Sequence, residues 1–179
     1  MTRSIYTKLV AIILVLIAAL MAVVGAFLIA GVRNFYISEF YTRMQEVFSS
    51  TELVRDLRAA ADAEDAPQRM ADILRANMGR LAIDSSNRNY FILDGSSGEC
   101  LTGSDPEQGR QLRLTRNILT AMSGSEGYAA ERSDDYMDVA LPIRGSGETG
   151  YIVYILDNKE TVTNLNARPF SIILESILL

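Results

Sequence analysis

The sequence predicts an α+β domain attached to a membrane helix, and three observations lead there. An uncharged apolar run, Leu9–Val32, stands near the N-terminus. Helix-period apolar residues follow it directly, and five short β-rich runs come later, separated by Gly- and Ser-rich turns. The predicted order is membrane helix, long helix, second helix, two strands, short helix, three strands, and a last helix leading to an apolar C-terminal end.

As a helix the Leu9–Val32 run is roughly 36 Å long, against a hydrocarbon core of about 30 Å. Its Leu, Ile, Val and Phe side chains together favour the bilayer by roughly 5 to 9 kcal/mol, and no charge opposes them. A secretory signal has a shorter apolar core followed by a small-residue cleavage site, so the run reads as an uncleaved anchor. This divides the chain into residues 1–8, a span at 9–32, a folded region at 33–168 and an apolar segment at 169–179. Arg3 and Lys8 precede the span and Arg33 and Arg43 follow it, a weak charge bias for orientation. The N-terminal flank is too short for a domain, and the sole cysteine, Cys100, permits no internal disulfide. The expectation is therefore a cell-membrane protein with a cytoplasmic N-terminus and residues 33–168 extracytoplasmic.

Composition removes several functions. The 179 residues carry a formal net charge of −5, a poor balance for nucleic acid. There is no histidine, which excludes Ser-His-Asp and Cys-His catalysis, imidazole-ligated zinc and a histidine pH switch. No cofactor motif is present and no enzymatic activity is expected of these residues.

After the span, Ile37, Phe40, Met44, Val47, Thr51 and Val54 recur at steps of three and four, one face of a helix that no Gly or Pro interrupts before Ala66. That stripe suits packing on the domain's own sheet or a heptad seam between two copies. Pro67 is placed for the first turn of a second helix whose apolar face is Met70, Ile73, Leu74, Met78 and Leu81. The strand candidates are Asn89–Asp94, Glu99–Gly103 across the turn Gly95–Gly98, then Gly127–Glu131, Tyr136–Ile143 and Tyr151–Leu156. A short helix is expected around Leu114 to Met122 between the second and third. The unbroken β-rich Tyr151–Leu156 suits the middle of a sheet covered on both faces. Asp157, with Glu160 three residues later, has the spacing of a capping box for the last helix. Beyond Pro169, the apolar residues Phe170–Leu179 make about 15 Å of helix, half a bilayer, and read as the first half of a second span.

In the stretches "RNYFILDGSSGECLTGSDPEQGR" and "YMDVALPIRGSGETGYIVYILDNKETV", and in the apolar run after Arg168, the sequence resembles the extracytoplasmic Cache (PAS-like) sensor domains of bacterial membrane-bound histidine kinases, with a layout like that of the WalK type. The resemblance rests on layout and strand pattern and covers essentially the whole chain. It implies an antiparallel five-stranded sheet with flanking helices and a long N-terminal helix, between two transmembrane helices. It also implies a homodimer in membrane lipid that responds to a small-molecule or protein ligand, with the kinase machinery lying beyond the second span. Asp157, Asn158 and Lys159, which join the last strand to the outgoing helix without a flexible linker, are then the signal-coupling residues.

Arg110, Arg113 and Arg116 recur every three residues and suit a carboxylate or phosphate. With Tyr128, Tyr136 and Asp138 they are candidates to line the pocket that Cache domains place between sheet and covering elements; the alternative is an exposed arginine face beside core tyrosines. Asp134, Asp135 and Asp138 are oxygen donors for a hard cation or simply an acidic turn. The glycine-rich "GSSG" and "GSGETG" lack the Lys-Ser/Thr of a nucleotide loop and read as hairpin turns. Cys100 reads as a small buried hydrophobe. Three functions fit: a two-component sensor, the sensor of a chemoreceptor or cyclic-dinucleotide enzyme, and a non-signalling envelope-binding anchor.

Overall fold

The computed structural model describes residues 5–83, 87–130, 136–146 and 150–158. The chain divides into two units, one of residues 1–36 with 164–179 and one of residues 37–163.

In the first unit, the described residues are helical and belong to α1 (Ile5–Ser49). The most apolar window of α1 has a mean hydropathy of 3.2 and none of it is buried. By length and composition α1 can cross a membrane.

In the second unit, the last turns of α1 bury Ile37, Phe40, Met44, Val47 and Phe48. The predicted long helix is interrupted at Ser50, whose extended backbone (ψ 110°) precedes α2 (Thr51–Ala61). Ser49 donates its hydroxyl to the Glu46 carbonyl at 2.9 Å, a local bond of the kind that lets serine and threonine compete with helix propagation. The break resets the helical phase. Thr51 is exposed and Val54 only half-buried, while Leu53, Leu57 and Ala60 form the buried face of α2.

Helix α3 (Ala66–Ala76) starts with Pro67 in its first turn, as predicted, and buries Met70, Ala71 and Leu74. A single turn, α4 (Met78–Leu81), follows and buries Leu81. Next come β1 (Arg88–Asp94) and β2 (Cys100–Gly103), then α5 (Pro106–Gly109), α6 (Arg116–Met122), β3 (Met137–Arg144) and β4 (Gly150–Asp157).

The sheet is antiparallel and four-stranded, in the order β2-β1-β4-β3. The expected five-stranded sheet is therefore corrected, although the class remains α+β. The missing strand is the third candidate, Gly127–Glu131. Among the described residues its contribution is one isolated bridge, Gly127 to Ala140. Two residues later the Ala129 backbone finds its partner in a side chain, donating to Asn117 Oδ1 at 2.8 Å and its carbonyl accepting from Asn117 Nδ2 at 3.0 Å. The amide of Asn117 thus satisfies the groups that a ladder would have paired.

β4 lies inside the sheet, as its unbroken apolar sequence predicts. Successive side chains point to opposite faces. Phe91, Leu93, Ala140, Ile152 and Tyr154 pack with Ile118 and Ala121 of α6 on one face. The alternate residues, among them Tyr90, Ile92, Val139, Val153 and Ile155, are also buried; α2 packs on β3, and α3 on β1 and β2.

Asp157 is the last residue of β4, and Asn158 N–H continues the sheet edge by donating to the Asn87 carbonyl at 3.0 Å. Lys159, the predicted last helix and the predicted second span lie outside the described residues.

Candidate functional site

Two buried polar assemblies organise the second unit. The first lies on the α6 face of the sheet. Thr115 caps α6, its hydroxyl oxygen accepting from Ile118 N–H at 3.2 Å, and it donates to Asp138 Oδ2 at 2.5 Å. Asn117, the second residue of the same helix, donates to Asp138 Oδ1 at 2.8 Å and to the Asp138 carbonyl at 2.9 Å. Asp138 is 4% exposed and Asn117 2%. The Tyr154 hydroxyl reaches Thr115 and Asp138; burial, followed by the Asp138 charge, raises its pKa well above the usual tyrosine range. The Ala129 carbonyl, bound by Asn117, also accepts from the Tyr41 hydroxyl of α1 at 3.3 Å. A continuous chain of hydrogen bonds therefore runs from α1 through Ala129 and Asn117 to the buried Asp138.

The second assembly ties α1 to the central strands. Arg88 donates Nε at 3.0 Å and Nη2 at 2.9 Å to Asp157 Oδ2, and Nη1 to the Leu81 carbonyl at 3.0 Å. Its guanidinium carbon lies 4.9 Å from the centre of the Phe40 ring, so a cation–π contact joins β1 to α1. Antiparallel pairing sets Arg88 opposite Asp157, which explains the match of charges at the ends of two apolar strands. The Asp157 carboxylate is thus committed to Arg88 within the sheet.

The predicted site residues are dispersed. The three arginines span the stretch from the end of α5 at Gly109 to the start of α6 at Arg116. Arg110 is exposed and paired with Glu107 at 2.6 Å, and Arg113 is exposed in the link between the helices. Arg116 is the first residue of α6. Tyr128 is half-buried, its hydroxyl held protonated by burial and by the Glu126 charge; Tyr136 is half-buried and close enough to Tyr154 to add to the rise there. Asp138 is the predicted residue at the centre of an assembly, and both its carboxylate oxygens already accept internal hydrogen bonds. Asp134 and Asp135 lie outside the described residues. Cys100 is half-buried against the α6 face, where burial raises its thiol pKa.

Sequence reasoning missed Asn117, Thr115, Arg88 and Tyr41. It also missed a cleft of about 410 Å³ lined by Ala121, Met122, Pro142, Arg144, Tyr151 and Ile152, among others. A signal for Arg88 existed: pairing the two most apolar strands in antiparallel register sets it against Asp157. No protein-family model matches the chain, and no curated protein matches it.

Proposed function

We propose that residues 33–168 are the extracytoplasmic, Cache-like sensor of a membrane-anchored receptor, working as a homodimer and passing a binding event to the membrane through helix movement. The carrying observation is the hydrogen-bond path Tyr41–Ala129–Asn117–Asp138, because it makes α1, the helix that holds the apolar Leu9–Val32 segment, part of the domain's buried polar assembly. A ligand that favours one arrangement of the α6 face then also favours one arrangement of α1, and it shifts the equilibrium by its difference in affinity for the two. The Arg88 contacts to Phe40 and Asp157 support the same reading, since they fasten α1 to the end of the strand that leads to the C-terminal apolar run. The output of such a receptor is a two-component phosphotransfer.

The test is a chimera in which the chain is joined through a complete second span to the cytoplasmic half of a histidine kinase driving a reporter gene. Tyr41→Phe and Asn117→Ala are expected to move the output away from the parent's, while the exposed Arg55→Ala leaves it in place. Parental output in both of the first two variants refutes the coupling. Orientation is read by a membrane-impermeant maleimide on intact cells, using Glu52→Cys in a Cys100→Ala background; labelling only after lysis overturns the extracytoplasmic assignment.

A further inference from the structure

We propose that the cleft beside Arg144 binds a small organic anion, a carboxylate head on an aromatic or aliphatic body. The role of such a ligand rests on the sensor reading above, whereas its binding is measured apart from it. The cleft's volume of about 410 Å³ falls within the range of roughly 300 to 1,000 Å³ typical of small-molecule sites. Its walls supply two chemistries. Ala121 and Met122 at the end of α6, with Pro142 and Ile152 from the sheet, give an apolar wall. Arg144 gives the cation.

The surroundings of Arg144 leave that cation open to a ligand. A Cβ built on Gly124 would stand 3.2 Å from Arg144 Nη2, and one built on Gly150 would stand 3.9 Å from Nε. Glycine at both positions keeps the flanks of the guanidinium clear, and Gly124 also needs glycine for its φ of +91°. Among the described residues the Arg144 side chain makes no ion pair or hydrogen bond. Asp94, at the end of β1 beside the cleft, has its Oδ1 engaged with the turn that follows, accepting from the backbone N–H and the hydroxyl of both Ser96 and Ser97. An always-charged planar fork with no partner among the described residues, at the rim of a part-apolar cleft, is suited to bidentate capture of a carboxylate whose body lies on Met122 and Pro142.

The test uses the full chain in lipid nanodiscs with methyl-labelled methionine, the Met122 resonance being assigned by Met122→Leu. Phenylacetate is titrated against its neutral isostere, phenylacetamide. The expected result is a saturable shift of the Met122 methyl with phenylacetate, and binding at least roughly tenfold weaker for the amide, the loss that follows removal of a charge-assisted contact. Arg144→Gln is expected to weaken phenylacetate by a similar factor, and Arg144→Lys to retain part of the affinity. The buried Met44 and Met70 resonances report whether the variants keep the fold, and the acid–amide comparison on the unmodified chain decides the matter independently. No saturable shift, equal response to acid and amide, or unchanged binding in a folded Arg144→Gln protein overturns the site. Binding that leaves the chimera's output unmoved overturns its role in signalling and retains the site.

Discussion

Removing either partner of the Arg88–Asp157 pair is expected to cost far more than removing both. The pair is 10% and 1% exposed, both guanidinium contacts go to one carboxylate oxygen, and the third goes to the Leu81 carbonyl. Arg88→Met takes the guanidinium from a carboxylate with almost no access to water, and Asp157→Leu takes the carboxylate from a guanidinium held between Phe40 and the Leu81 carbonyl. A buried charge left without its partner costs about 3 to 5 kcal/mol, a large share of the roughly 5 to 15 kcal/mol that holds a domain folded. The double variant removes both charges. Its remaining losses include the hydrogen bond to Leu81, about 1 kcal/mol, and the contact with Phe40, also about 1 kcal/mol. The expected coupling between the two substitutions is therefore at least about 3 kcal/mol. Urea titration of the full chain in detergent measures it, followed by near-UV circular dichroism of the tyrosines, since the chain has no tryptophan. Single variants that lose under about 1 kcal/mol, or a double variant that loses the sum of the singles, refute the reasoning.

Asn117→Ala removes an amide that satisfies both the Ala129 backbone and Asp138, so unfolding is expected to become easier by about 2 to 4 kcal/mol, and hydrogen exchange at the Ala129 N–H, which donates to Asn117 Oδ1, to rise in step; unchanged exchange at that amide counts against the assembly. Asp94 has its pKa drawn from 3.8 down to about 2, first by the Ser96 hydroxyl and then by the Ser97 backbone N–H. Because the folded-state pKa is depressed, the ionised side chain stabilises the fold above about pH 4, and this contribution fades as pH falls through about 2. Asp94→Asn is thus expected to be less stable than the parent at neutral pH and to converge with it near pH 2, as read by chemical denaturation across that interval; a gap of constant size points to another cause.

The strands were the most legible part of the chain. Apolar β-rich residues bounded by Gly and Ser located β1, β3 and β4 closely, because burial on both faces writes itself into composition, and β2 followed from the turn Gly95–Gly98 after β1. Two other features were illegible for physical reasons. The phase reset at Ser50 comes from Ser/Thr competition with helix propagation, a small local energy that no apolar period reveals. The absent fifth strand turns on Asn117, which in sequence is a polar residue near a helix start and gains its role only when the fold brings Ala129 and Asp138 to it. The candidate site was read with the same bias. Of the arginines at 110, 113 and 116 only Arg116 stands on a helix, whereas Arg88 and Arg144 sit at strand ends and become meaningful only through register.

The open border of β3 has a further consequence. Pro142 lacks a backbone N–H to offer a newcomer, and the bridge at Gly127, with the Asn117-held segment beyond it, already occupies part of that border. A second strand approaching there therefore meets little free ladder on which to stack. Along this border the approach of another chain is left to side chains rather than to an indiscriminate zipper of backbone.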